Sequence, residues 1–237
     1  DLASALLSLD RAKEALPFAR SAAAGMKRVL GVDHGQTAGI LRTLAGIEVE
    51  LGLLAEAEAN FRDALKFFET RDANRHSAVG YALAGIADVK ERQRHLDQAL
   101  PLRQRVLSIM ESAFGTTHRE TADAHSALAS LHFDLGNWTK AIEHYRSAAE
   151  ARLRLEAYAL DVAEANTRRD ASLHVRQRSD DHMAIVRGLS RLAAMGMVDA
   201  EAAMREAFIS AQRAAASQAA SALAQMAARQ AIGGGEL

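Results

Sequence analysis

Residues 128–145 read LASLHFDLGNWTKAIEHY, and residues 44–61 read LAGIEVELGLLAEAEANF. Both stretches begin with leucine–alanine, place a glycine near the middle, have an alanine five residues after that glycine and end on an aromatic residue. They start 84 residues apart (128 − 44), which is twice 42, and residues 86–103 occupy the position between them. A pattern that recurs at a fixed step of this length predicts a repeat protein.

Further residues follow the same step of 42. His34, His76 and His118 are evenly spaced (76 − 34 = 42 and 118 − 76 = 42). Two alanine columns run through all four copies: Ala3, Ala45, Ala87 and Ala129, and then Ala15, Ala57, Ala99 and Ala141. Within one copy, residues 41–51 have leucine or isoleucine at helical spacing, and Gly52 is suited to end that helix. Each copy is therefore predicted to be a hairpin of two closely crossing helices that buries its apolar face against its neighbours.

The composition favours an all-α fold. Only two of 237 residues are proline, and hydrophobic residues reach 49% at a mean hydropathy of −0.12, because much of the apolar content is alanine, a strong helix former. With 29 basic against 30 acidic residues, nothing predicts a nucleic-acid partner. No apolar run reaches the roughly 20 residues that span a membrane, so we expect no membrane partner. The absence of cysteine excludes disulfides and favours a cytoplasmic location.

Nine histidines raise the question of a metal site. His118, His125 and His132 step by seven residues, which separates neighbours by about 10.5 Å along a helix, too far to share one ion. The repeating histidines are instead predicted to cap helices or pack in loops, because each copy has one. No phosphate-loop, nucleophile-elbow or zinc-protease motif occurs. The sequence therefore predicts no catalytic residue, no metal and no cofactor.

One copy departs from the pattern. The copy that starts near residue 74 has Arg94 in place of the turn glycine and Arg103 in place of the aromatic residue. Since glycine is the residue best suited to a left-handed turn position, we expect the turn of this copy to be distorted.

These residues resemble the tetratricopeptide repeat, which has a large–small pair in helix A, a glycine at the turn, an alanine in helix B and an aromatic residue four positions later. The 42-residue step and the segment 30–34, which reads LGVDH, are similar to the kinesin-light-chain subtype, although Gly35 stands where that subtype has proline. The resemblance covers residues 1 to about 155. It implies an all-α, right-handed superhelical solenoid with a truncated first repeat and repeats at about 29–70, 71–112 and 113–155.

In this family, the A helices line a concave groove that binds a protein or a peptide. Carried over to this sequence, the resemblance implies these exposed groove residues: Arg42, Val49, Glu50, Tyr81, Asp88, Arg92, Asp123, Ser130, Phe133 and Asp134, together with Thr43, Gly46, Ala84, Glu91 and Ser126. Mixed charges with a few aromatic or apolar positions suit an extended peptide. The alternative is that these positions are only solvated helix faces.

The period breaks after residue 155, and nothing like the earlier turn is expected beyond it. Residues 155–180 are rich in charge and are expected to form a loop or a solvated helix. Ser179 or Asp180 is predicted to cap a helix that runs to Gly196, and Asp199 to cap a last helix that runs to about Gln230. We therefore expect a repeat array at 1–155, a helical extension at 156–231 and a linker at 232–237.

Residues 206–229 are similar to the segment that joins tetratricopeptide repeats to a CHAT domain, a caspase-like domain, in bacterial proteins. This resemblance implies a non-catalytic regulatory or sensor region, with any chemistry in a domain that follows the chain. The alternative is a free-standing scaffold or cargo adaptor of the kinesin-light-chain type. Both chain ends are expected to be cuts in a longer protein, and self-association through the end of the array is also open.

Overall fold

The computed structural model describes the backbone of residues 11–71, 76–161 and 168–233, and the side chains of 11–70, 77–155, 177, 179–216 and 219. Within these ranges the chain is helical apart from short turns, which confirms the all-α fold. The helices are α1 (Ala12–Leu30), α2 (Gly35–Glu50), α3 (Leu54–Arg71), α4 (His76–Arg92), α5 (Leu96–Phe114), α6 (Arg119–Asp134), α7 (Trp138–Asp161), α8 (Arg168–Ala194) and α9 (Ala200–Gly233).

The chain divides into two compact units, residues 1–113 and 114–237. In the first unit, α1 packs on α2, α2 on α3 and α3 on α4, and α2 also touches α4. In the second unit, α6 packs on α7, α7 on α8 and α8 on α9. We call the first helix of each hairpin an A helix (α2, α4, α6 and α8) and the second a B helix (α3, α5, α7 and α9).

The alanine columns lie in the core, as predicted. Ala15, Ala57, Ala99 and Ala141 have no exposed surface, and neither have Ala45, Ala87 and Ala129. In the first unit, Ala45 and Ala57 belong to an apolar cluster that also contains Val49, Phe61, Ile86 and Val89. A larger side chain at these alanines would overpack the crossing, which typically costs about 1–3 kcal/mol.

Two turns have the geometry that glycine favours. Gly52 and Gly136 both have a φ of 75°. The Gly52 amide donates to the Val49 carbonyl oxygen and the Leu53 amide to that of Glu48, while Gly136 and Asn137 donate in the same way to Phe133 and His132. These bonds satisfy carbonyl groups that the end of helix A would otherwise leave without a partner.

The turn at Arg94 is not distorted, so that expectation was wrong. Arg94 has a φ of 63°, and its amide and that of His95 donate to the Glu91 and Lys90 carbonyl oxygens in the same pattern as at Gly52. Among the described residues, Arg94 is the only non-glycine with a positive φ. The closely packed helices impose the turn, and the arginine backbone takes a conformation that L-residues disfavour.

The same turn also occurs where the period predicted none. Gly196 has a φ of 67°, and the Gly196 and Met197 amides donate to the Ala193 and Leu192 carbonyl oxygens. It lies 60 residues after Gly136 (196 − 136), not 42, chiefly because α7 and α8 have 24 and 27 residues, whereas α5 and α6 have 19 and 16. Helices α8 and α9 therefore form another hairpin of the same kind.

The start of α8 also differs from the prediction, whereas the start of α9 confirms it. Ser179 and Asp180 lie inside α8, and Ser179 is buried, with its hydroxyl donating to the Ala214 carbonyl oxygen of α9 at 3.3 Å. Asp199 does cap α9, because its carboxylate accepts from the Ala202 amide at 2.7 Å. Although α9 has 34 residues, no helix in the described part of the chain is long and apolar enough to cross a membrane.

Two of the repeating histidines cap A helices, as predicted. The Nδ1 atoms of His34 and His118 accept from the Gln36 and Glu120 amides, each at 3.2 Å. A second bond also recurs, since the Thr37 and Thr121 hydroxyls donate to the carbonyl oxygens of Gly31 and Gly115. The side chain of His76 lies outside the described residues.

Close packing of α4 predicts opposite effects for two glycine-to-alanine substitutions. A Cβ at Gly85 would lie 2.2–2.6 Å from atoms of the Phe61 ring, whereas a Cβ at Gly46 would meet nothing within 4 Å. Gly85→Ala should therefore lower the free energy of unfolding by about 1–3 kcal/mol. Gly46→Ala should raise it by about 0.5–1 kcal/mol through helix propensity. Urea unfolding measures both, and equal stability of the two variants would contradict the close approach.

The strained turn predicts that glycine is the better residue at position 94. Arg94→Gly should raise the free energy of unfolding by about 1 kcal/mol, because glycine adopts a φ near 63° without steric cost. The reciprocal control, Gly52→Arg, should lower it by a similar amount. Thermal unfolding of both variants checks this. A destabilised Arg94→Gly would mean that contacts of the arginine side chain outweigh the backbone strain.

Candidate functional site

In the first unit, four of the predicted groove residues meet in two pairs across α2 and α4. The Arg42 guanidinium lies over the Tyr81 ring, 5.5 Å from its centroid. Arg92 Nη2 donates to Glu50 Oε1 at 2.9 Å, and both side chains are about half exposed. Glu50 and Arg92 occupy equivalent positions of neighbouring copies, since they are 42 residues apart. The A-helix face of this unit is therefore accessible to solvent and carries both positively and negatively charged side chains.

Arg103 changes the environment of another predicted groove residue, Asp88. Arg103 occupies the aromatic position of its copy, and its side chain is 8% exposed. It is ion-paired with Asp88, and its Nε donates to Glu91 Oε1 at 2.6 Å. A guanidinium is tolerated at this buried position because two carboxylates of α4 compensate for its lost hydration. Asp88 is half exposed, but its carboxylate is engaged within the chain.

Val49 is not a groove residue, so that part of the prediction was wrong. Its side chain is 5% exposed and packs with Phe61, Ile86 and Val89 in the apolar cluster. The equivalent positions in the other copies also turn toward helix B, because Glu91 bonds to Arg103 and the Phe133 ring contacts Trp138 edge-on at 4.7 Å. This column therefore lies between core and surface, and an aliphatic side chain there is buried.

In the second unit, the predicted groove residues lie on α6 beside the half-buried Phe133. Asp123 and Phe133 are partly exposed, and Ser130 and Asp134 are exposed. Trp138, which Phe133 contacts, also has the Arg191 guanidinium 5.4 Å from its ring centroid. Since Arg191 belongs to α8, this helix continues the surface that α6 begins.

A buried arginine ties α6, α7 and α8 together. Arg152 of α7 is 1% exposed and is ion-paired with Asp181 of α8. It also donates to Ser126 Oγ at 2.9 Å and to Asp123 Oδ1 at 2.7 Å, both on α6. Burial raises the pKa of Asp181 to about 6, although Arg152 and the Ser126 hydroxyl favour the charged carboxylate. Removing one member of such a buried network would leave a charge without compensation.

A cavity of about 320 Å³ opens beside this network, between α6 and α8. It is lined by Asp123, Ser126, Tyr145, Arg152, Gln177, Asp180, Asp181, Ala184 and Arg187. Sequence reasoning placed Asp123 and Ser126 on a binding surface but missed the contribution of α8, because that helix lies outside the 42-residue step. The helical spacing of Asp180, Ala184 and Arg187 was the signal that could have placed these three on one face.

In the second unit, His125, His132 and His144 form a contact chain rather than a metal site. The Nδ1 atoms of His125 and His144 are 3.1 Å apart, and the His132 ring stacks on His144 with centroids 5.7 Å apart. His144 comes from α7, which the spacing of His118, His125 and His132 did not reveal. Among the side chains that the structure describes, no three histidine or acidic groups are arranged to hold a metal ion.

The repeated hairpins, their turns and their buried alanines agree with a family comparison. The family model described as "Tetratricopeptide repeat" matches residues 1–70 and 79–154, more than half of the chain. The chain belongs to the tetratricopeptide repeat family. Proteins built from such repeats generally mediate protein interactions, and the fold is typically non-catalytic.

Solved structures of other proteins share this fold. The nearly identical TPR-like repeats of a Podosopora anserina protein assigned as a kinesin light chain are 15% identical with a TM-score of 0.64, covering 92% of each chain. BtubC (BKLC) from P. vanneervenii is 15% identical with a TM-score of 0.53, covering 88% of this chain and 91% of that one. The MamA RS-1 ArsTM double mutant is 18% identical with a TM-score of 0.56, covering 92% of each. At these identities, the likeness concerns the fold alone.

The histidine contact chain predicts a pH-dependent stability for this tetratricopeptide repeat protein. Burial, with a smaller effect of His144, lowers the pKa of His125 from 6.5 to about 4. The folded state therefore favours the neutral ring, so its contribution to stability is complete above pH 6.5 and is lost as the pH falls from 6.5 towards 4. The equivalent positions in the earlier copies are Leu41 and Leu83, which makes His125→Leu a natural replacement.

His125→Leu should retain more of its neutral-pH stability at pH 5 than the wild type does, as measured by urea unfolding at several pH values. Exposed His95 provides the control, and His95→Gln should follow the wild-type profile. Parallel pH profiles for wild type and His125→Leu would contradict the role of burial.

Proposed function

We propose that this chain is a non-catalytic module that binds an extended protein segment on the A-helix faces of its repeats. The observation that carries the proposal is the charge at one repeat position of the A helices, which Glu50 and Arg92 occupy in the first unit and Asp134 occupies in the second. These residues occupy one position in three successive copies, are all exposed and alternate in charge, whereas the alanine columns of the same helices are buried. One side of each A helix thus packs in the core, and the opposite side is exposed and can contact a partner protein.

Peptide recognition suits this chemistry. The A-helix faces offer the Arg42–Tyr81 pair, the half-exposed Glu50–Arg92 pair and, in the second unit, the partly exposed Phe133 ring. Such shallow contacts of mixed character are weak one by one, but an extended peptide adds several of them along the A-helix face of a unit. Exposed charges contribute more to the choice and the approach of a partner than to raw affinity.

Charge reversal on the two helix faces tests the proposal. Peptides selected on the wild-type chain from a displayed library of random linear sequences should bind about tenfold more weakly to Arg92→Glu or to Asp134→Lys, as measured by fluorescence anisotropy. The matched controls, Arg105→Glu and Glu201→Lys, reverse exposed, ion-paired charges on the B helices α5 and α9, and they should bind as the wild type does. If the binding of no selected peptide depends on Arg92, Asp134 or another exposed residue of an A helix, the proposal fails.

We further propose that the module is the regulatory or sensor region that precedes a CHAT domain. What supports this is the similarity of residues 206–229 to the segment that joins such repeats to that domain. A partner on the A-helix face would shift the packing of the repeats and so change the activity of the following domain. The gene sequence beyond the codon for Leu237 tests the arrangement, because a caspase-like domain with a His/Cys pair must follow.

The second candidate is a free-standing scaffold or cargo adaptor. Such a protein could also associate with a second copy of itself through the end of the repeat array. The likeness of the fold to the TPR-like repeats of the Podosopora anserina protein assigned as a kinesin light chain is compatible with this candidate. The same gene sequence separates the two candidates. If a caspase-like domain follows, regulation of its peptidase activity should change when Arg42, Tyr81 and Arg92 are replaced in the full-length protein.

A further inference from the structure

We propose that the cavity between α6 and α8 binds an extended peptide segment with one basic and one acidic side chain about three residues apart, recognised by Asp180 and Arg187. This inference rests on the proposed peptide-binding function and names the chemistry of the segment that the second unit selects. The peptide's basic side chain lies beside Asp180 and its acidic side chain beside Arg187, with the backbone of the segment crossing the cavity between them.

The buried charges of the cavity are already compensated within the protein. Arg152 is ion-paired with Asp181 and donates to Asp123 and Ser126, so its guanidinium binds three side chains of this protein. Asp181 Oδ1 in turn accepts from the Ser126 hydroxyl at 2.9 Å. These residues fix the walls of the cavity and are not free to exchange their partners for a ligand.

The two remaining charges that line the cavity differ from this network. Asp180 and Arg187 are exposed, and neither forms an ion pair with another side chain in the described part of the protein. They share one face of α8 with Ala184, which lies four residues after Asp180 and three before Arg187. Because alanine has a small side chain, the cavity floor between the two charges stays open.

The spacing of the two charges sets the spacing expected in the partner. Asp180 and Arg187 are seven positions apart on α8, which places them about 10.5 Å apart along the helix axis. An extended chain advances roughly 3.3–3.6 Å per residue, so about three residues cover the same distance. Two opposite charges in a fixed order also define the direction in which the segment runs, because the reverse direction would place like charges together.

A reciprocal charge swap tests the inference. A displayed library of random linear peptides is selected separately on the wild-type chain and on the double variant Asp180→Arg/Arg187→Asp, which preserves the net charge and changes only exposed side chains. Wild-type binders should be enriched in a basic and an acidic residue about three positions apart. The double variant should bind these peptides about tenfold more weakly and should itself select peptides with the order of the charges reversed.

The control is the double variant Glu201→Arg/Arg205→Glu, which swaps the exposed ion pair on α9 in the same unit and should select the wild-type peptides. If the double variant at 180 and 187 loses its helical circular dichroism, the single variants Asp180→Asn and Arg187→Gln replace it. Each should remove the preference for one of the two peptide charges and leave the other.

The possible outcomes separate this inference from the broader function. Peptides that bind through Arg92 or Asp134 but show no paired charges, or no response to the swap at 180 and 187, overturn the inference and leave the proposed function intact. Failure to obtain any peptide whose binding depends on an A-helix residue overturns both. Reversed charge order on the swapped variant supports the inference.

Discussion

Where two helices cross at an alanine with no exposed surface, their backbones come so close that no larger side chain fits between them. Ala45 and Ala57 occupy such a crossing in the first unit, and Ala129 and Ala141 recur at the same step in the second. Each crossing fixes the distance between the two helices of a hairpin, and that distance fixes the short turn that joins them. The backbone of Arg94 shows how strong this constraint is, because it adopts the left-handed turn without a glycine.

The same closeness explains the buried charges. Helices held at short distance bring the polar residues beside the crossings together, away from water, where an ion survives only with a partner. Arg103 therefore lies against Asp88 and Glu91, and Arg152 against Asp123 and Asp181. In the second unit, the ion pairs and hydrogen bonds of Arg152 connect α6, α7 and α8. The residues of this network also line the cavity.

The sequence predicted those features that repeat at the 42-residue step. The alanine columns, the hairpins and the capping roles of His34 and His118 follow from residues that recur. Each copy repeats the same helix crossing and the same helix start, and these need the same small or capping residue. Glu50, Arg92, Ser130 and Asp134 are exposed, as predicted. Val49 was predicted to be exposed as well, but it is buried because its column lies at the edge of the core. The structure was needed for what does not recur. Asp181 meets Arg152 from a helix outside the period. The α8–α9 hairpin is not detected at the 42-residue step because α7 and α8 are both longer than the corresponding helices of the earlier copies.

The ion pair between Glu50 and Arg92 joins equivalent positions of two neighbouring copies, and the signs of its charges differ. In an array of identical units, any copy could be duplicated or exchanged without changing the contacts between neighbours. Here, duplication of either copy would place glutamate beside glutamate or arginine beside arginine. The two repeats are therefore not interchangeable, because the ion pair between them forms only when a copy with glutamate at this position lies beside a copy with arginine.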